Sequence, residues 1–313
     1  MDNGAHALRG RDLLSVTDLS PDELHAVLAA AVALKRDGQG QILAGKEMAL
    51  IFEKPSLRTR VSFTVAMHRL GGHVQYLSDA EVGLGRREPA ADVARVLDRM
   101  VDVIVGRVFA QESLEELAHY ARIPVINALS DAEHPCQALA DLLTVYEHLG
   151  TLRGVPLAFI GDGNNVACSL MLGAAMMGMD FRIASPSGYE VPYPVLERAR
   201  ALAELSGARL TCVTSPDEAA EGVQALYTDV WVSMGQEREA AIRREVFAGY
   251  QVTRELMART APGALLLHDL PAHRGEEITE EVFEAHQATI FDQAENRLHA
   301  QQALLALTLG GEG

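Results

Sequence analysis

A chain of 313 residues, 48% hydrophobic and 22% charged, has room for two ordinary domains, each with its own core. Its 27 basic and 43 acidic residues leave a net charge of −16, which argues against nucleic acid and anionic membrane as partners and demands locally gathered arginines for any anionic substrate. There is no apolar stretch of the roughly 20 residues a membrane span needs and no secretory pattern in Met1–Arg11, and the scattered Cys136, Cys168 and Cys212 form neither a disulfide framework nor a paired zinc motif, so a reducing, cytoplasmic setting is expected.

Short β-like runs alternate with longer helical patterns from end to end. Ser20-Pro21-Asp22-Glu23 opens a helix, with Ser20 as N-cap, Pro21 at the first position and Glu23 set for a capping box. Leu24, Val27, Leu28, Ala31 and Leu34 mark its apolar face. Met48–Phe52 reads as a buried strand, followed by a helix from about Arg58 that ends at Gly71-Gly72. Val101–Val105 and Pro124–Asn127 read as strands with helical Glu112–Tyr120 between them, and Pro135–Glu147 is helical. A second series sets strands at Leu157–Ile160, Phe181–Ala184, Leu210–Val213, Ala225–Thr228 and Leu265–His268, with helices between and a last helix from about Gln293 to Leu307. Cys168 and Cys212 are expected to be small buried hydrophobes. This alternation predicts an α/β fold of two domains meeting near Leu149–Gly154, each a mainly parallel sheet flanked by helices with right-handed crossovers. Ligands in such sheets sit beyond the carboxyl ends of strands, so the loops there are the place to look for chemistry.

After the strand ending at Phe52 comes Glu53-Lys54-Pro55-Ser56-Leu57-Arg58-Thr59-Arg60. A helix start rich in Ser, Thr and Arg offers free backbone N–H groups, the helix dipole and a bidentate fork to an anion. Taken alone, it equally fits a capped helix with a solvated basic turn. The segment resembles the phosphate-binding loop, usually Ser-Thr-Arg-Thr-Arg, of the aspartate and ornithine carbamoyltransferase family. Further family signatures stand in the expected order: Arg107, His134-Pro135-Cys136-Gln137, Gly161-Asp162-Gly163-Asn164-Asn165, Asp229-Val230-Trp231-Val232-Ser233-Met234-Gly235, His268-Asp269-Leu270-Pro271 and Glu295-Asn296-Arg297. The similarity covers essentially the whole chain, and the Asn-Asn and Ser-Met-Gly elements favour the ornithine branch.

The resemblance implies a carbamoyl phosphate-binding domain over 1–148, an ornithine-binding domain over 149–292 and a C-terminal helix, 293–313, that returns to the first domain. It implies transfer of a carbamoyl group from carbamoyl phosphate to L-ornithine, giving L-citrulline and phosphate in arginine biosynthesis, with no metal or organic cofactor. Ser56, Leu57, Arg58 and Thr59 would hold the phosphate with Arg107, while Thr59, Arg107 and His134 polarise the carbonyl as it becomes an oxyanion. Gln137 and the backbone carbonyls of Asp269 and Leu270 would accept from the carbamoyl NH₂, Pro135 and Cys136 would lie alongside, and Arg297 would add charge. Arg58, Thr59, Arg107, His134 and Asp269 form the implied catalytic set. Asn165, Asp229, Ser233 and the Met234 backbone would grip the α-carboxylate and α-ammonium of ornithine. The attacking amine must first lose a proton, since a free alkyl ammonium has a pKa near that of Lys, about 10.4. By themselves, His134 also fits a core or capping histidine, Arg107 and Arg297 fit ion pairs, and Asn165 and Asp229 fit caps or turns.

The family forms homotrimers, or multiples of trimers, in which a loop of one subunit reaches its neighbour's site; the matching segment is Gly83-Leu84-Gly85-Arg86-Arg87-Glu88-Pro89, which also reads as a solvated turn before a helix. Gly83 stands where many relatives carry Gln, Leu57 where Thr is common and Thr64 where Glu is usual. Asp269 replaces the Cys of the ornithine branch, beside the attacking amine. That exchange leaves two alternatives open, a different diamino-acid acceptor or a retired carbamoyl phosphate-binding paralogue. Gly161-x-Gly163 after a strand suggests a dinucleotide loop, but Val166 stands at the third glycine position and Ala184-Ser185 where the ribose-binding acid belongs.

Overall fold

A computed structural model describes residues 8–38, 40–233 and 237–310. The chain divides into two compact units, one running to Leu143 and resuming at Glu295, the other Thr144–Ala294.

In the first unit, α1 (Pro21–Asp37) begins with a reciprocal cap: Ser20 Oγ accepts from the Glu23 N–H, and the Glu23 carboxylate accepts from the Ser20 N–H. Leu24, Val27, Leu28 and Ala31 are buried beneath it. There follow β1 (Glu47–Phe52), α2 (Leu57–Arg69), β2 (His73–Ser78), α3 (Asp79–Val82), α4 (Ala90–Leu97), β3 (Val103–Arg107), α5 (Gln111–Tyr120) and β4 (Val125–Leu129). The strands form one parallel sheet in the order β2-β1-β3-β4. Ala49, Ile51 and Ile104 pack with Val93, Ala94, Leu114 and Leu117 of the covering helices, so the apolar strands dictate where α4 and α5 lie. The helix α6 (Pro135–Leu149) leads into the second unit.

There the elements are β5 (Pro156–Ile160), α7 (Asn165–Met176), β6 (Asp180–Ala184), α8 (Tyr193–Ser206), β7 (Arg209–Val213), α9 (Pro216–Ala220), β8 (Ala225–Thr228), α10 (Ala240–Val246), α11 (Arg254–Met257) and β9 (Leu265–His268). The sheet order is β7-β6-β5-β8-β9, again all parallel. The last helix, α12 (Glu280–Leu309), carries the chain back into the first unit, as expected.

Both sheets reverse their winding once, between β1 and β3 and between β5 and β8. Loops leaving such a pair of strands run to opposite sides and open a crevice at the carboxyl edge. The sequence-derived strands need some correction. β3 starts and ends two residues later than expected, because Asp102 serves as an entry turn: its carboxylate takes the Glu47 N–H at 2.9 Å and Lys46 Nζ at 2.8 Å. Arg107 therefore ends the strand instead of following it. α12 begins well before Gln293, at a start where Thr279 Oγ1 accepts from the Val282 N–H. Cys168 is buried, but Cys212 is exposed, since β7 is an edge strand with one side open.

Candidate active site

The first crevice gathers cations. Ser56 caps α2, its Oγ accepting from the Thr59 N–H at 3.3 Å and donating to Thr59 Oγ1 at 3.1 Å. Thr59 is fully buried, Arg58 half-buried, and Leu57 76% exposed. Arg107 is paired in the ladder with Phe52, and its carbonyl accepts from the Glu53 N–H at 2.9 Å, so the two loops leave the sheet edge together. The Arg107 residue is buried. His134 stands before Pro135 at the head of α6, and its carbonyl accepts from the N–H groups of Gln137 and Ala138.

Arg297, from α12, ties these pieces together. Its Nη2 donates to Thr59 Oγ1 at 2.7 Å and its Nη1 to Gln137 Oε1, while Gln137 Nε2 donates to Asp141 Oδ1 at 2.7 Å. Burial, then the positive charges of Arg297, Arg107 and Arg58, hold the imidazole of His134 well below its ordinary range, so it is neutral at pH 7. The positive charges of Arg58, Arg107 and Arg297 all bear on His134. In a chain of net charge −16, cations gathered at one sheet edge repel one another and make a local site at which an anion would be favoured. Cys136 points elsewhere: its Sγ lies 3.4 Å from the Asn127 carbonyl, and burial pushes the thiol up to about 12, so it is no thiolate nucleophile. Gly83 caps α3 in the left-handed region at φ 58°, with its carbonyl accepting from the Arg86 and Arg87 N–H groups.

The second crevice gathers acids. Asn164 caps α7, its Oδ1 accepting from the Val166 and Ala167 N–H groups at 3.0 Å, and its Nδ2 donates across the winding reversal to Asp229 Oδ2 at 2.8 Å. The strand pair β8–β9 ends at Thr228↔His268, so Asp229 and Asp269 leave neighbouring strands side by side. Burial, then the charge of Asp269, push the Asp229 carboxyl up to about 7 against the opposing hydrogen bonds from the Asn164 side chain and the Val230 N–H. Behind them, His268 Nδ1 accepts from the Leu270 N–H at 2.8 Å, which leaves Nε2 to carry the hydrogen toward Glu277 Oε1 at 3.0 Å. Both of these side chains are fully buried, and Gln293 Oε1 accepts from the His268 N–H at 2.7 Å. This network holds Leu270 at φ 65°, a conformation a leucine rarely adopts.

The expected residues thus fall into a basic group (Ser56, Arg58, Thr59, Arg107, His134, Gln137 and Arg297) and an acidic group (Asp229 and Asp269). Asn165 is the first residue of α7, half-buried, and Ser233 is half-buried beyond β8; Met234 lies outside the described residues. Sequence reasoning missed Asn164, Asp141, His268 and Glu277. Two adjacent asparagines do not announce which is the cap, and nothing local to His268 points to Glu277. Gly163 is required by close packing: a Cβ there would lie 2.2 Å from the Val191 N, so the glycine answers to this chain's own backbone and no phosphate need be invoked for it.

Residues 11–147 match the family model described as aspartate/ornithine carbamoyltransferase, carbamoyl-P binding domain, and residues 153–308 match the Asp/Orn binding domain of the same family. An ornithine carbamoyltransferase of Nostoc punctiforme is 54% identical over 306 residues, spanning 98% of this chain and 99% of that protein. The solved ornithine carbamoyltransferase of Pyrococcus furiosus superposes with a TM-score of 0.93 at 47% identity, covering 98% of this chain and 99% of its own. The anabolic ornithine carbamoyltransferase of Campylobacter jejuni does so at 0.92 and 40% identity, over 94% of this chain and 97% of its own.

Proposed function

The chain belongs to the aspartate/ornithine carbamoyltransferase family, and from that premise we propose that it transfers the carbamoyl group of carbamoyl phosphate to the side-chain amine of L-ornithine, giving L-citrulline and phosphate. The observation that carries this reading is the convergence of Arg58, Arg107 and Arg297 on a neutral His134 at a helix start. A dianionic phosphate matches that charge. The backbone N–H groups of Leu57 and Arg58 at the start of α2 face it together with the guanidiniums of Arg58 and Arg107. His134, being neutral, serves as a hydrogen-bond donor, and with Thr59 and Arg107 it stabilises the oxyanion that forms on the carbonyl. Gln137 and the backbone carbonyls of Asp269 and Leu270 orient the carbamoyl NH₂, with Pro135 and the backbone of Cys136 lying alongside and Gly83 belonging to the loop offered to a neighbour.

Ornithine binds through Asn165, Asp229, Ser233 and Met234, with Asn164 holding Asp229. In the reaction a C–N bond forms at the carbamoyl carbon and the C–O bond to phosphate breaks, with proximity supplied by binding both substrates at once. The full-length relatives named for ornithine favour this acceptor over another diamino acid, and the intact basic group argues against a retired paralogue. The same reading extends to arginine biosynthesis, a cytoplasmic location and a homotrimer or multiple of trimers; among the described residues no helix is long and apolar enough to cross a membrane. The purified protein, given carbamoyl phosphate and L-ornithine, is expected to release one phosphate per ureido product. Phosphate release without ureido product, or neither, sinks the proposal.

A further inference from the structure

Along one face of α6 a buried polar chain ends on a residue that the proposed reaction does not use. Thr59, Gln137 and Asp141 are fully buried and Arg297 is 2% exposed. Arg297 Nη2 donates to Thr59 Oγ1 at 2.7 Å and its Nη1 donates to Gln137 Oε1, while Gln137 Nε2 donates to Asp141 Oδ1 at 2.7 Å. Gln137 and Asp141 stand four residues apart on α6 and so share a side of the helix.

The chemistry of the partners fixes which way each link points. A guanidinium has only donors, so the end of the Gln137 amide that faces Arg297 is its oxygen. The other end, an NH₂, then needs an acceptor, and Asp141 supplies it. Without that acceptor the buried NH₂ would be left unsatisfied, and the amide would gain by swinging or turning over to find another partner. Thr59 is oriented in the same way. Its oxygen accepts from Arg297 on one side and from Ser56 Oγ at 3.1 Å on the other, so what it offers onward is its hydrogen. The pair therefore presents a donor at Thr59 and an acceptor at Gln137. A carbamoyl group is the complement, with an oxygen on one side of its carbon and an NH₂ on the other.

Resting on the function proposed above, we infer that Asp141 is a positioning residue for donor selectivity: by accepting from Gln137 Nε2 it holds the Gln137 oxygen toward the NH₂ of carbamoyl phosphate, and the site thereby tells that NH₂ from a methyl group. Asp141 acts one hydrogen bond away from the substrate. The Gln137 oxygen has two lone pairs, one for Arg297 and one for a carbamoyl N–H. Acetyl phosphate carries the same phosphate and carbonyl with a methyl in place of the NH₂, so it brings no hydrogen to that oxygen. An Asp141 that served only to pack α6 would affect the two phosphates alike.

Isothermal titration of carbamoyl phosphate and of acetyl phosphate into the unaltered protein, Asp141→Leu and Asp141→Asn, with thermal melting of each, tests this. The readout is the ratio of the two dissociation constants, which cancels any loss the two phosphates share. The unaltered protein should favour carbamoyl phosphate by about 10-fold or more, as one well-placed hydrogen bond allows. Asp141→Leu nearly keeps the volume and removes the acceptor, so the preference should fall about 10-fold. Asp141→Asn still offers an oxygen to Gln137 Nε2 and should stay within about threefold of the unaltered ratio. Should Asp141→Leu fail to fold, Asp141→Ser, whose hydroxyl falls short of Gln137 Nε2, carries the same expectation. The inference is overturned by an unaltered protein that binds both phosphates equally, or by a folded Asp141→Leu or Asp141→Ser protein with an unchanged ratio. An Asp141→Asn protein that loses as much as Asp141→Leu overturns it too. These are binding measurements and are read apart from turnover: the expected ratios with no citrulline from the unaltered protein would overturn the proposed function and leave the role of Asp141 in donor binding standing.

Discussion

Arg297 is a guanidinium with almost no water around it, 2% exposed, held by the Thr59 hydroxyl on one arm and Gln137 on the other. A lysine at this position keeps the charge but cannot serve both partners with one planar fork. Arg297→Lys is therefore expected to raise the KM for carbamoyl phosphate roughly 10- to 100-fold while the KM for ornithine changes little, as steady-state titration of each substrate would read. His134 makes a second prediction, with a definite sign. In the unfolded chain its imidazole takes up a proton as pH falls through about 6.5, whereas in the folded protein burial and three arginines oppose that proton. Its contribution to stability is thus present above about pH 6.5 and lost as pH falls toward the depressed folded value. Replacing His134 by Asn should flatten the decline of unfolding free energy between about pH 6.5 and 5, by up to about 1.36 kcal/mol per pH unit. Urea melts across that range would detect it, and an unchanged slope would mean that the buried imidazole is protonated after all.

The loop between α3 and α4 shows what a backbone can forbid. Gly83 lies at φ 58°, and a Cβ there would sit 2.9 Å from the Arg87 Cβ. Installing the glutamine common in relatives, Gly83→Gln, should therefore cost roughly 1–2 kcal/mol at that turn, visible as a melting temperature lower by a few degrees. An unchanged melting curve would show the turn relaxing freely. The same balance of local and tertiary causes explains which elements could be read from sequence. β8 and β9 are apolar up to their last residues, Thr228 and His268, and buried at every position, and their expected bounds coincide with the observed ones. β2 was missed because His73, Gln75 and Ser78 dilute an edge strand that is nowhere fully buried. The first turns of α12, Glu280-Glu281-Val282-Phe283-Glu284, carry too few apolar residues in sequence to declare a helix, although Val282 and Phe283 are buried in the core of the second unit. For the basic group, the spacing of motifs named the residues, but the bond from Arg297 to Thr59 spans 238 positions and no local pattern contains it.

At the scale of the whole molecule, one device is used twice: each parallel sheet reverses its winding, and each reversal holds a charged group, basic in the first unit and acidic in the second. The chain as a whole nevertheless carries −16, and the proposed donor is a dianion. Two fields of opposite sign therefore act on the approaching ligand, and they differ in range. The repulsion comes from charges spread over the surface and reaches outward; the attraction comes from buried guanidiniums and acts at contact. Screening separates them, because the Debye length falls from about 30 Å at 0.01 M salt to about 8 Å at 0.15 M, while buried contacts are screened much less. Carbamoyl phosphate should then associate several-fold faster at 0.15 M than at 0.01 M of a salt whose anion does not compete for the site, with a smaller change in the dissociation rate. Stopped-flow binding at the two ionic strengths measures both constants. A slower association at the higher salt would mean that the positive cage, despite the acidic surface around it, governs the field the substrate meets on its way in.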